Sequence, residues 1–154
     1  MYKIEKMDIK NYPEIINIWK NTIGLGLNGE DDSKKSIKIF LEKNQNTCFV
    51  AKYNGEIIGT IMAGNDGRRG NIYHLMVKSE NRKNGIGKKL LERVEKNLKK
   101  EGIRKIKLVV YKNNNIGNKF WKENGYNIRK DLNYRDKKIK EWKNWEKKAK
   151  LYFV

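Results

Sequence analysis

The chain has 154 residues, with 36 Lys+Arg against 18 Asp+Glu and a formal net charge of +18, which suits one globular domain rather than two. Its single cysteine and single histidine exclude an internal disulfide and supply too few soft ligands for a structural zinc site, so no metal is expected. No apolar run reaches membrane-spanning length and the first residues lack a signal-peptide pattern, so a cytoplasmic domain without a membrane span is the expectation.

Lysine is spread through nearly every segment. That favours solubility and weak attraction to polyanions, and it argues against specific nucleic-acid recognition, which needs a clustered motif.

Residues 2–6 alternate weakly and read as a first strand. Pro13 suits a first helical turn, and Ile15, Ile16, Trp19 and Ile23 recur at helical spacing, predicting a helix over 12–23. The glycines at 24, 26 and 29 end it in a mobile loop. Ser33 caps a second helix with a stripe of Ile37, Phe40 and Leu41, and Asp31 and Asp32 sit at that helix's positive end. Residues 47–53 are β-rich and run into Asn54-Gly55, the strongest short hairpin signal, with 56–63 returning. A turn over 64–70 and a third strand over 71–78 complete an antiparallel meander.

The period then changes. Ile86, Leu90, Leu91, Val94 and Leu98 mark a helix of about four turns closed by Gly102. Ile106, Leu108 and Val110 alternate as a strand, 116–123 read as a short helix, and 126–134 hold the last strand or strands. The lysine-rich tail over 135–154 places Trp142, Trp145, Ala149 and Phe153 on one face of a basic helix, docked on its own domain or on a dimer mate. A membrane-surface or partner-binding helix is the other reading of the tail. The class is α+β, with one domain over 1–134 followed by the tail.

The chemistry sits between the third strand and the long helix. There Arg82-Lys83-Asn84-Gly85-Ile86-Gly87-Lys88 opens a helix whose first backbone N–H groups have no internal partner. They lie at the positive end of the helix dipole, which suits a pyrophosphate. Gly85 and Gly87 remove side chains that would hold a phosphate off the backbone, and Arg82, Lys83 and Lys88 add positive charge. Neither a P-loop nor a dinucleotide fingerprint occurs.

These residues resemble the GNAT superfamily of N-acetyltransferases, whose acetyl-CoA loop reads [QR]-x-x-G-x-[GA]. Val110, Asn114, Phe120, Trp121, Gly125 and Tyr126 match a second pattern of that family, with Gly117 at its usual alanine. The resemblance implies a mixed, mainly antiparallel sheet of six to seven strands flanked by about four helices. It implies that Leu75, Met76 and Val77 hold the pantetheine arm as an added strand where two strands splay apart. It further implies that the amides of Asn84, Gly85, Ile86, Gly87 and Lys88 bind the pyrophosphate, and that Asn114 contacts the arm. Acetyl-CoA is then the co-substrate and a primary amine, small or peptidic, the acceptor.

Acetyl transfer needs a neutral amine, yet a lysine-type amine has a pKa near ~10.4, so something must take its proton. The oxyanion needs fixed donors, assigned to the Leu75 and Met76 amides, and the thiolate needs a proton donor. Trp121 stands where many relatives carry an acidic tyrosine, and Val109 where one branch carries glutamate. The remaining candidates are His74, whose imidazole suits a base, with Tyr73 and Tyr111. Glu30, Asp31 and Asp32 follow the glycine loop and are either helix-start acids or amine recognisers. Two other readings stand beside the enzyme: an acyl-CoA-binding module without turnover, and a ribosome- or RNA-associated basic protein.

Overall fold

The computed structural model describes residues 1–142. Four α-helices and five strands are formed among them: β1 (Lys3–Lys6), α1 (Tyr12–Lys20), α2 (Lys34–Lys43), β2 (Cys48–Tyr53), β3 (Glu56–Asn65), β4 (Gly70–Val77), α3 (Ile86–Lys100), β5 (Ile106–Lys107) and α4 (Asn115–Glu123). The strands lie in the order β1-β2-β3-β4-β5. Neighbours are antiparallel except β4 and β5, which are parallel.

The central strands are buried on both faces because long stretches of β2 and β3 are apolar or small at consecutive positions. Along β2, Phe49 and Ala51 pack towards α3 with Leu90, Leu91, Val94 and Leu98. Cys48 and Val50 point the other way, towards Ile15, Ile18 and Trp19 of α1 and Ile37 of α2. One-residue alternation thus splits a continuous apolar run between two cores. The hairpin at Asn54-Gly55 forms with φ of 50° and 80°, the left-handed pair that its turn type requires. Ser33 caps α2 by accepting from the Ser36 N–H.

Several expectations are corrected. The sheet has five strands among the described residues, not six or seven. Residues 126–134 form no strand, and Ile128, Leu132 and Tyr134 are exposed. The strand expected over 106–110 is formed only at Ile106–Lys107, because β4 runs beside it only at Gly70 and Asn71. Once the two chains part, Leu108 and Val110 have no ladder to join, although both still pack on the core. α1 ends at Lys20, leaving Ile23 exposed. In the loop after it, Leu25 and Leu27 are buried. In the tail, residues 135–142 are not helical; Trp145, Ala149 and Phe153 lie outside the described residues.

Candidate functional site

β4 and β5 pair at one end only, so among the described residues no strand pairs with the outer edge of β4 from Ile72 onward. Which of its groups face that gap follows from alternation. Lys78 N–H donates to the Ile58 carbonyl at 2.8 Å, and the Met76 carbonyl lies 3.1 Å from where a β-carbon on Gly59 would stand. Lys78 and Met76 therefore face β3, and Leu75 and Val77 face the gap. By this alternation Met76 turns its backbone groups to the ladder, and Leu75 and Val77 turn theirs to the gap. The Val77 carbonyl already accepts from Arg82 Nε at 2.9 Å.

A bulge sits just before these residues. Thr60 pairs with Met76 and Met62 with Tyr73, so Ile61 faces both His74 and Leu75. His74 absorbs the extra residue in the left-handed region, at φ 51°. Non-glycine residues are rarely held there, and three contacts hold this one. Its Nε2 meets Asp32 Oδ1 at 2.7 Å. Its ring packs against Trp19 with centroids 4.6 Å apart. Its carbonyl accepts from Thr60 Oγ1 at 2.8 Å, and Thr60 Oγ1 in turn accepts from Trp19 Nε1 at 3.0 Å.

Beyond β4, the chain makes a short 3-10 turn (Ser79–Asn81) and enters α3. Gly85 is its N-cap with φ 75°, and no side chain caps the helix. The first internal bond runs from Lys89 N–H to the Gly85 carbonyl at 3.0 Å. The amides of Ile86, Gly87 and Lys88 accordingly lack helical partners. Lys83, Asn84, Gly85 and Lys88 are exposed, while the Ile86 side chain is buried and offers only its backbone. Each glycine also has a local structural reason, besides the phosphate clearance read in sequence. A β-carbon on Gly85 would meet nothing within 4 Å, so its left-handed φ is what demands glycine; one on Gly87 would stand 3.2 Å from the Phe120 ring.

A cleft of about 520 Å³ opens between Asn17, Ile18 and Thr22 at the end of α1, Met76 and Val77 of β4, and Arg82 of the loop. Tyr73, 46% exposed, meets Phe40 edge-on. Burial, first, and the nearby charge of Asp31 hold its phenol above the ordinary range. Tyr111, across the gap after β5, brings its hydroxyl 3.2 Å from the β-carbon position of Gly26. Asn114 is 1% exposed, and its Oδ1 accepts from Gly117 N–H at 2.9 Å. That bond caps α4. Trp121 is buried among Phe120 and Tyr126 in the α3-side core.

The sequence leaves Asp32 as either a helix-start acid or an amine recogniser. The structure buries it to 5% exposure and commits both carboxylate oxygens, Oδ1 to His74 and Oδ2 to Asn28 N–H at 2.8 Å. No local pattern announces a contact across 42 residues. Among the described residues no three His, Cys, Asp or Glu gather as a metal site, and no helix is long and apolar enough to cross a membrane.

A family model described as the acetyltransferase (GNAT) family matches residues 12–126. Among solved structures, the fold is similar to a PaiA N-acetyltransferase from Thermoplasma acidophilum in complex with coenzyme A, at TM-score 0.71 and 23% identity over 81% of this chain and 89% of that one. A predicted acetyltransferase from Clostridium acetobutylicum with acetyl-CoA gives 0.66 and 22%, over 88% and 96%. AAC(6')-Iy in complex with a bisubstrate analogue, CoA-S-monomethyl-acetylneamine, gives 0.69 and 18%, over 90% and 99%.

Proposed function

Because the chain belongs to the GNAT acetyltransferase family, we propose that it moves an acetyl group from acetyl-CoA to a primary amine by direct attack in a ternary complex. One observation carries the reading. The uncapped first turn of α3 stands beside a strand whose outer edge has no paired strand from Ile72 onward among the described residues. A thioester arm ending in a diphosphate needs that pair of features together: a strand edge to lie along, and a positive helix end to finish on.

Acetyl-CoA supplies the activated acyl group, and the residues do the rest. The amides of Ile86, Gly87 and Lys88 take the diphosphate, with charge from Arg82, Lys83 and Lys88 and with Gly85 setting the turn. Val77 N–H holds the arm against β4. Leu75 N–H donates to the carbonyl oxygen as that oxygen gains negative charge. His74 accepts the proton shed by the attacking amine as the new C–N bond forms. The C–S bond then breaks, the sulfur leaves as a thiolate, and Tyr111, on the far side of the gap, donates the proton that neutralises it. Tyr73 borders the acceptor side. Trp121, buried in the core, takes no part.

A panel of primary amines screened for release of free CoA thiol tests the proposal. Turnover of at least one amine is expected. An Arg82→Ala, Gly85→Glu double variant, folded by circular dichroism, is expected to bind acetyl-CoA at least about tenfold more weakly. Undiminished binding by that variant overturns the placement of the cofactor. Tight binding by the wild type with no amine turned over makes the protein an acyl-CoA-binding module instead.

A further inference from the structure

Resting on the acetyltransferase reading, we infer that Asp32 is a positioning residue for the reaction, acting through His74. An ionised carboxylate only accepts hydrogen bonds. With Asp32 Oδ1 2.7 Å from His74 Nε2, the proton of a neutral imidazole must sit on Nε2. The nitrogen left with a lone pair is Nδ1. Asp32 therefore selects which ring atom can take a proton from an amine.

The carboxylate is itself held at both oxygens. Oδ2 accepts from Asn28 N–H at 2.8 Å, and the Asp32 backbone carbonyl accepts from Tyr12 Oη at 2.7 Å. Asn28 Oδ1 in turn accepts from the N–H groups of Glu30 and Asp31 at 2.9 and 2.8 Å, which fixes the turn carrying Asp32. The α1–α2 connection thus delivers one acceptor to the bulge in β4. The same contact pins the φ 51° backbone of His74, whose next residue contributes the Leu75 amide. One buried acid sets both the tautomer of the base and the aim of the oxyanion donor.

Asp32→Asn makes a sharp test. The amide has one acceptor oxygen for two N–H donors. If the oxygen stays on Asn28 N–H, the NH2 faces His74 Nε2 and forces the proton to Nδ1. The chain's single histidine gives one imidazole signal, so nitrogen-15 NMR of histidine-labelled protein reads the tautomer directly. The wild type is expected to carry its proton on Nε2 and Asp32→Asn on Nδ1. kcat is expected to fall at least about tenfold, with KM for acetyl-CoA within about threefold. His74→Gln keeps a donor for Asp32 but has no basic nitrogen. It is expected to lose roughly 100-fold in kcat while still binding acetyl-CoA. A wild-type proton on Nδ1, or full kcat in either variant, overturns the inference. A wild type with the expected tautomer but no turnover overturns the acetyltransferase reading and the catalytic role with it, leaving the Asp32–His74 pair a structural clasp.

Discussion

The ring of Phe120 stands 3.2 Å from the point where a β-carbon on Gly87 would lie, and a Val77 methyl stands 3.7 Å from it. The first turn of α3 therefore meets the Phe120 side chain of α4 and the Val77 side chain of β4 with its own backbone at Gly87. Phe120 is held from behind by Trp121, edge-on at 5.1 Å. Gly87→Ala has to push that ring by a few tenths of an ångström. The expected cost is about 1 kcal/mol, seen as a fall in melting temperature of roughly 2–4 °C. The Gly87 amide is untouched, so a titration with CoA is expected to change by less than about threefold. A large loss of CoA affinity at unchanged stability would return Gly87 to the role read from sequence.

What was legible from the residues was whatever local chemistry decides. The Asn54-Gly55 turn, the Ser33 cap and the stripe of Ile86, Leu90, Leu91, Val94 and Leu98 all stand where they were expected. The loop-to-helix passage at Gly85 was equally plain. The last strand expected at 126–134 is not formed, because a strand exists only where a neighbour pairs with it, and β5 stops at Lys107. Asp32 and His74 were each visible, one as a helix-start acid or amine recogniser and one as a lone histidine on a strand. Their contact depends on how α2 and β4 pack. The bulge that turns His74 into the left-handed region has no glycine to betray it.

Gly85 separates backbone strain from occlusion. Its β-carbon would meet nothing within 4 Å, yet its φ is +75°. Gly85→Ala is expected to cost about 1 kcal/mol through the left-handed backbone alone. Gly85→Asn costs less, since asparagine tolerates that region, and is expected to keep CoA affinity within a few-fold. Gly85→Glu sets a carboxylate at the positive end of α3, where it suits the helix dipole but competes with a diphosphate. Chemical denaturation and CoA titration of the three variants should therefore rank differently. Identical rankings would mean that CoA binding at this loop tracks stability and not the vacancy of the helix end.

Cys48 is 2% exposed on β2, with its thiol 3.7 Å from the Ala63 carbonyl oxygen. Burial pushes the thiol up to about 12, so almost no thiolate exists at ordinary pH. A disulfide reagent at about pH 8 is expected to leave the native protein unmodified and to label it fully once guanidinium unfolds it. Fast labelling of the folded chain would show that β2 opens locally. Catalysis should be indifferent to Cys48→Ala, apart from a packing loss of about 1 kcal/mol.

Tyr126 closes the α3-side core: its ring meets Trp121 at 5.1 Å, and its hydroxyl donates to Glu95 Oε2 at 2.8 Å. Burial, and secondly the bond to Glu95, hold the phenol far above its ordinary range. The folded state thus keeps the proton where an unfolded phenol loses it, above about pH 10. There the unfolded chain binds fewer protons than the native one, so stability falls as pH rises. Below that range this contribution is fully present. Tyr126→Phe has no proton to lose. It is expected to be less stable than wild type by about 1 kcal/mol near neutrality, through the missing bond to Glu95. As pH climbs past about 10 the gap between the two proteins should narrow, which lysine titration common to both cannot produce. Urea midpoints at about pH 7 and about pH 10.5 measure the gap; parallel curves would show that Tyr126 ionises in the folded protein as freely as in the unfolded chain.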